Sequence, residues 1–569
     1  MTNLRPILLI TLVFLAYLIW VEWQKDYGPK PSAPPSTAIE SGPDASIPDV
    51  PVISDEAEEG SEPADLPDLG DAIPTAQPAQ PAEPNETPAQ LRLMTVTSDV
   101  LRLGIDLEGG TVVSAELLDY SETVEQPEEK VVLLRPAGPE MFIAQSGLLS
   151  PQSAPNHASN YESTRTEWAL GDGQDELQVP MTWSSEDGVR VTKTLVLRRG
   201  AYDITVRHEV LNGAESTWLG SRYDQLQRAV PADESGGGFN DPERYSFKGI
   251  AFYDPVDKFQ KVDFEDIAGE PYKKTIAGGW LAMIQHYFFA AWIPPVEQQV
   301  TYSTQQIVSQ GRPRYIARDV SPSVQLAPGA STTFESRLYV GPKLQDRLPE
   351  VAPGLEHTVN YGIFTVFSKP LFWLLEKIHE FVGNWGWAIV LLTVLIKLAF
   401  FKLTEAQFRS TARMRKLQPR IEQLKERYGD DRQRMSQAMM ELYKKEKVNP
   451  LGGCLPILVQ IPIFIALYWV LIESVELRQA PFILWIENLS ARDPYFVLPA
   501  LNAVFMFATQ RLTPTVGMDP VQRKMMNAMP LVFSVLFAFF PAGLVLYWAT
   551  NAGLSLAQQL YITRKIERS

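Results

Sequence analysis

The sequence runs to 569 residues with a formal net charge of -16. That length exceeds one ordinary domain, and a single cysteine, Cys454, excludes an internal disulfide framework and reads as a small packing residue. The acidic balance misdescribes most of the chain: 13 carboxylates against the single Lys30 lie between Gly28 and Gln90, so the net charge assigns no partner to the regions on either side.

Residues Pro6 to Trp23 form the first apolar run, preceded by Arg5. No small-x-small cleavage pattern follows it, and Trp20 and Trp23 stand at its exit as interface anchors. Residues 1–27 are therefore expected to be an uncleaved transmembrane anchor with a cytoplasmic N-terminus, the alternative being a removed signal peptide. Residues 28–90 are rich in Pro, Ala, Asp, Glu and Ser and nearly free of aromatics. Such a segment buries too little apolar surface to offset its chain entropy, which predicts a disordered tether.

From Leu91 the character changes to short alternating runs separated by Gly, Asp, Asn and Pro, the pattern of an antiparallel sandwich. Val189, Val191, Leu195 and Leu197 fall on one face of a strand, with Arg190, Thr192, Thr194 and Arg198 on the other. Arg199-Gly200 then turns into a second strand carrying Tyr202, Ile204, Val206 and Val210. The expectation is a large all-β domain over residues 91–345, across the membrane from the N-terminus. His208 falls on an apolar face and reads as a satisfied core or edge histidine. His157 and His286 lack a second ligand at metal-binding spacing, and Gly236-Gly237-Gly238 lacks the Gly-Lys-Ser/Thr of a phosphate cradle and reads as a mobile loop. Neither G-x-S-x-G nor H-E-x-x-H occurs, so no catalytic constellation, metal or cofactor is predicted.

Residues 358–383 read as an amphipathic interfacial helix, with Pro370 in its first turn and Phe367, Leu371, Leu374, Ile378 and Phe381 at three- and four-residue steps. Trp385 to Leu403 is then long enough to cross a bilayer and holds one charge, Lys397. Beyond it, Lys402 to Lys447 contains 13 Lys/Arg against 7 Asp/Glu, which assigns it to the cytoplasm. Met414, Leu417, Ile421, Leu424 and Tyr428 form one stripe, Gly429-Asp430-Asp431 breaks it, and Met435, Met439 and Leu442 form another. This is read as a helical hairpin over 404–447, its basic surface being either a solvated flank or a docking site for acidic partners or ribosomal RNA. Further spans are expected at Leu455–Val475, Tyr495–Gln510, Met525–Phe540 and Leu544–Ile562. Six spans starting from the cytoplasm place every basic loop inside.

Polar residues inside these spans need partners that lipid does not supply. Thr393 and Lys397 share a helix face; Tyr547, Asn551, Ser555 and Gln558 form a stripe; Gln460 adds an amide beside Pro462. Two readings follow from spacing: a polar cavity, or a Lys397 that snorkels to the headgroups.

Several long stretches then match a known family in order: GGWLAMIQHYFFAAWIP (Gly278 to Pro294), KPLFWLLEKIHEFVGNWGWAI, LQPRIEQLKERYGDD, KKEKVNPLGGCLPILVQIPIFIALYW, SVELRQAPF and FPAGLVLYW. The chain resembles the Oxa/Alb/YidC family of membrane insertases, in its Gram-negative form with a large periplasmic domain. The resemblance implies a polytopic α-helical inner-membrane protein with a five-helix insertase core at 384–569, a periplasmic β-supersandwich and both termini cytoplasmic. It implies a groove open to cytoplasm and lipid, at Lys397, Thr393, Gln460, Tyr547 and Trp548, with Asn551 added by the stripe. The client's apolar segment would leave along the third and fifth spans, past Ile461, Pro462, Phe533 and Phe537. Arg413, Arg415, Lys416, Arg420, Lys425 and Arg427 would recruit partners at the hairpin. Lys397 stands where the family carries arginine, which keeps the charge and loses the planar fork. Implied partners are nascent inner-membrane proteins, the Sec translocon, the ribosome transiently and membrane lipids, with no specific nucleic acid sequence and no enzyme chemistry. The sequence ends at Ser569, so no long basic ribosome-binding tail is expected. The alternatives are a small-solute transporter or channel and, third, a sugar-binding receptor.

Overall fold

The β region combines alternating strands, such as Asp203–Asn212, with strands buried on both faces, such as Trp280–Ile284 and Phe288–Ile293. In the computed structural model the chain is described over residues 92–230, 246–309, 312–428, 431–446, 455–512 and 520–568. The expected anchor and tether, Gly236–Gly238, Gly429-Asp430 and Cys454 lie outside these residues, as do the side chains of Arg415, Lys416 and Lys425. Among the described residues, nineteen strands between Leu93 and Pro342 form an eleven-stranded and an eight-stranded sheet. The pairings are antiparallel except Thr95–Thr97 against Glu167–Ala169. Strand Val189–Arg198 buries Val189, Val191, Leu195 and Leu197 and pairs with Asp203–Asn212, as the alternation predicts. Gly200 makes the turn at φ 69°, a left-handed conformation that a side chain disfavours. One residue breaks the apolar row: Lys193 is buried and stands opposite His208. His208 is buried too, but neither ring nitrogen has a hydrogen-bond partner, so the expected satisfied histidine is corrected.

The two sheets enclose a core that includes Leu103, Leu197, Leu226, Trp280 and Leu338, and this core continues without a break into the helices through Leu355, Tyr361, Leu375, Ile389, Leu467 and Tyr547. Polar contacts reinforce the junction. Arg478 and Gln479 donate to the carbonyls of Ser121 and Glu122, the Gln345 backbone amide donates to Glu476 at 3.2 Å, and Tyr361 donates to Gln345 at 2.7 Å.

Helix α1 (Thr365–Val382) ends at Gly383, φ 67°, a left-handed cap. It starts earlier than its proline suggests, so Pro370 lies inside it rather than in the first turn. Its buried residues are Ser368, Phe372 and Leu375, while Phe367, Trp373 and Phe381 are exposed. Of the predicted stripe, Leu371, Leu374 and Ile378 are half-buried against the core, while its two ends, Phe367 and Phe381, are exposed. Asn384 caps α2 (Trp385–Ala399) by accepting from the Trp387 amide at 3.0 Å. Next come α3 (Phe401–Lys416), α4 (Gln418–Tyr428) and α5 (Arg432–Lys445). The predicted hairpin therefore has three helices, because Pro419 falls in the first turn of α4 and restricts the residue before it. Leu417 and Ile421 pack on Met439, Leu442 and Tyr443, which sets α4 and α5 antiparallel.

The remaining helices are α6 (Leu455–Glu473), α7 (Val497–Leu512), α8 (Pro520–Phe537) and α9 (Ala542–Arg568). No single described helix is long and apolar enough to cross a membrane. One pair passes together, α2 with Phe401–Arg409, bent by 62°.

Candidate substrate groove

Lys397 lies three turns into α2, on the side packed against α9. Burial of a lone ammonium is costly unless something accepts its protons. Here its Nζ donates to Ser555 Oγ at 2.8 Å, and Ser555 in turn donates to the Asn551 carbonyl at 2.7 Å. The serine proton is committed to its own helix, so its lone pairs face the lysine. No carboxylate pairs with Lys397 among the described residues, so its charge is solvated but not cancelled. Thr393, one turn earlier, is buried and donates to the Ile389 carbonyl at 2.7 Å. The buried Tyr547 hydroxyl has Gln460 and Asn551 as polar neighbours, short of hydrogen-bond geometry.

Beside this cluster, α6, α7, α8 and α9 line an open cavity of about 530 Å³. Its polar wall carries four amides, Gln460, Asn502, Gln510 and Asn551, with the hydroxyls of Thr509 and Ser555; no carboxylate lines it among the described residues. The opposite wall is apolar. Trp548 stacks on Phe464 with centroids 4.8 Å apart and meets Phe537 at 3.5 Å. Phe537 touches Phe533 at 5.7 Å. Ile461 on α6 and Phe533 on α8 are 44% and 37% exposed, so the apolar wall continues onto the outer surface of both helices.

Six of the ten groove and exit residues read from the sequence line this cavity together: Gln460, Ile461, Phe533, Phe537, Trp548 and Asn551. Lys397 joins it through Ser555, which is shared by both. Thr393 and Tyr547 are buried, and Pro462 sits within α6; these three are not on the wall. Sequence reasoning missed the α7 contribution of Asn502, Thr509 and Gln510. Their spacing of seven and eight residues places them on one helix face, a signal that was present. Of the basic hairpin residues with described side chains, Arg420 pairs with Glu446, Arg427 lies 5.6 Å over the Tyr428 ring, and Arg413 is exposed.

Comparison with known proteins covers the chain from end to end. A family profile described as "YidC periplasmic domain" matches residues 93–374, and one described as "60Kd inner membrane protein" matches residues 377–569. The membrane protein insertase YidC of Thioalkalivibrio sulfidiphilus is 47% identical over 585 residues, covering 100% of this chain and 99% of that protein. Its counterpart from Methylococcus capsulatus is 47% identical over 574 residues, with 100% and 99% covered. A crystal structure of an active YidC insertase with its first transmembrane domain resolved aligns over 82% of this chain and 93% of its own, at 19% identity and a TM-score of 0.38. The chain belongs to the YidC family of membrane protein insertases.

Proposed function

We propose that this protein inserts and helps to fold inner-membrane proteins, alone or with the Sec translocon, by way of the groove around Lys397. The observation that carries the reading is the uncancelled Lys397 ammonium sharing Ser555 with an amide-lined cavity whose apolar wall opens along α6 and α8. A charge in a low-dielectric site attracts an acidic or polar client tail more strongly than the same charge in water. Fixed amides and hydroxyls replace part of the water that the tail gives up, and the client's apolar segment passes Ile461 and Phe533 into lipid. Burying that segment in lipid is favourable in itself, so the step needs no nucleotide. In this reading the chain has six spans with both termini cytoplasmic and residues 91–345 in the periplasm. The hairpin at Arg413, Arg415, Lys416, Arg420, Lys425 and Arg427 meets the ribosome transiently.

The test uses the purified full-length protein in liposomes and a single-span client with an acidic translocated tail. Protection of the tail from external protease is compared for wild type, Lys397→Arg and Lys397→Ala. Protection with wild type and Arg but not Ala is the expected result. Equal protection with all three would make Lys397 a snorkelling residue, and solute flux without protection would favour a transporter.

A further inference from the structure

A second cleft, of about 430 Å³, lies in the β domain at the end that meets the helices. Four arginines line it, Arg198, Arg199, Arg337 and Arg347, against two carboxylates, Asp203 and Glu350. Asp203 is already engaged, by Arg198 at 2.7 Å and by Arg337 at 3.8 Å. The other two guanidinium groups are held by neutral oxygens. Arg199 donates to the carbonyls of Gln174 at 3.0 Å and Gly171 at 2.9 Å, and Arg347 donates to the Gly200 carbonyl at 3.2 Å. Neither has a carboxylate partner among the described residues.

This arrangement differs from a surface scatter of basic side chains. Two carbonyls on Nε and Nη2 fix the plane of Arg199 and leave Nη1 for an anion, while Arg347, held through Nη1 alone, keeps its Nε–Nη2 edge for one. Both charges stay intact, and part of the ordering cost of binding is already met by the fold. A guanidinium fork matches the paired oxygens of a phosphate better than any other cation among the side chains. The place of the cleft narrows the source. Arg347 lies two residues beyond Gln345, whose side chain donates to Ser474 and whose backbone donates to Glu476 in the turn after α6. The cleft therefore adjoins the junction between the β domain and the helices.

We propose that the Arg199–Arg347 cleft binds a phosphate ester, the headgroup of an anionic phospholipid, and so ties the β domain to the membrane surface. The proposal rests on the membrane reading of the helices but not on the groove mechanism. Its test uses the full-length protein in neutral detergent, titrated by calorimetry with short-chain phosphatidylglycerol, short-chain phosphatidylcholine and inorganic phosphate. Wild type, Arg199→Ala/Arg347→Ala and Arg199→Lys/Arg347→Lys are compared. The expected result is binding of phosphatidylglycerol that weakens at least tenfold in the double alanine variant and recovers in part with lysine. Competition by inorganic phosphate would support phosphate recognition at the cleft. Phosphate binding without phosphatidylglycerol binding would overturn the lipid assignment in favour of a free anion. Unchanged lipid binding in the alanine variant would overturn the site itself. Thermal unfolding is followed in the same preparations and client insertion with the same variants in liposomes; both stay at wild-type level if the cleft alone is affected.

Discussion

The β domain and the helical region both bury charge, and they treat it in opposite ways. In the β core Arg222 is fully buried and satisfied on three sides, by Asp319 at 2.9 Å, Asp224 at 3.2 Å and the Glu335 carbonyl at 2.7 Å. Nearby, Lys193 donates to the carbonyls of Gly109 and Ser146 at 2.8 and 3.1 Å, and burial pulls its pKa down to about 7. Burial pushes both carboxyls up while Arg222 pulls them back, and burial with two cationic neighbours holds His208 neutral. Arg222 and Lys193 thus face Asp224 and Asp319, two charges of each sign in one buried cluster. In the helical region Lys397 has a hydroxyl and no counter-ion. The first arrangement is self-contained; the second is incomplete without an anion.

Breaking the self-contained network has the largest expected effect. Arg222→Met strands two buried carboxylates and is expected to cost about 3–5 kcal/mol, read as a lowered unfolding temperature of the full-length protein. Replacing all three charged partners with apolar residues should recover most of that loss. Lys397→Met is the mirror case. It removes an uncompensated charge, so unfolding temperature should stay level or rise, while insertion of an acidic-tailed client falls by tenfold or more, about 1.4 kcal/mol or above in barrier. A melting point that falls as it does for Arg222→Met would erase the contrast.

Gly386→Ala sharpens the boundary of the groove helix. A β-carbon there would approach the Phe482 ring to 2.0 Å, so overpacking of about 1–3 kcal/mol is expected, visible as faster hydrogen exchange in the loop around Phe482.

The smallest effect sits at the junction. Burial raises the Glu476 carboxyl to about 7, against 4.5 for the free side chain. A raised carboxyl contributes stability below its unfolded value and loses it as pH rises through the folded one. The junction around Glu476 should therefore lose stability as pH rises from about 4.5 to about 7, the Gln345 amide offsetting part of the loss because it donates to the carboxylate. His286, lowered to about 3, works in the opposite sense but only below its usual 6.5. At pH 8 Glu476→Gln should exchange more slowly than wild type around Gln345, with little difference at about pH 4; equal traces at both pH values would remove the titration.

Much of this was legible in the sequence because it depends on local periodicity. Alternation placed Val189, Val191, Leu195 and Leu197 inward, and i, i+4 spacing put Thr393 beside Lys397 and aligned Tyr547, Asn551 and Ser555. What escaped was set by packing between distant elements. Lys193 reads as a break in an apolar row until Gly109 and Ser146, 84 and 47 residues away, supply its acceptors. Asn502 and Gln510 look like tolerated polarity in an apolar run until α6 and α9 close the cavity around them. The stripe on α1 gave the period and the middle of the face, since Leu371, Leu374 and Ile378 pack on the core beside Phe372 and Leu375, but not its ends, Phe367 and Phe381, which are exposed. Pro419 carries a helix-start signal that a stripe running from Met414 to Tyr428 does not register.

The four amides of the cavity behave as a fixed solvent. A carboxylate can only accept and an ammonium can only donate, so a wall of either rewards one chemistry of guest. A primary amide does both, and Gln460, Asn502, Gln510 and Asn551 can exchange donor for acceptor by turning about a single bond. Such a lining is closer to liquid formamide than to a lock. In the proposed groove these amides, set opposite an apolar wall, would lower the cost of a stretch of exposed peptide without reading its order.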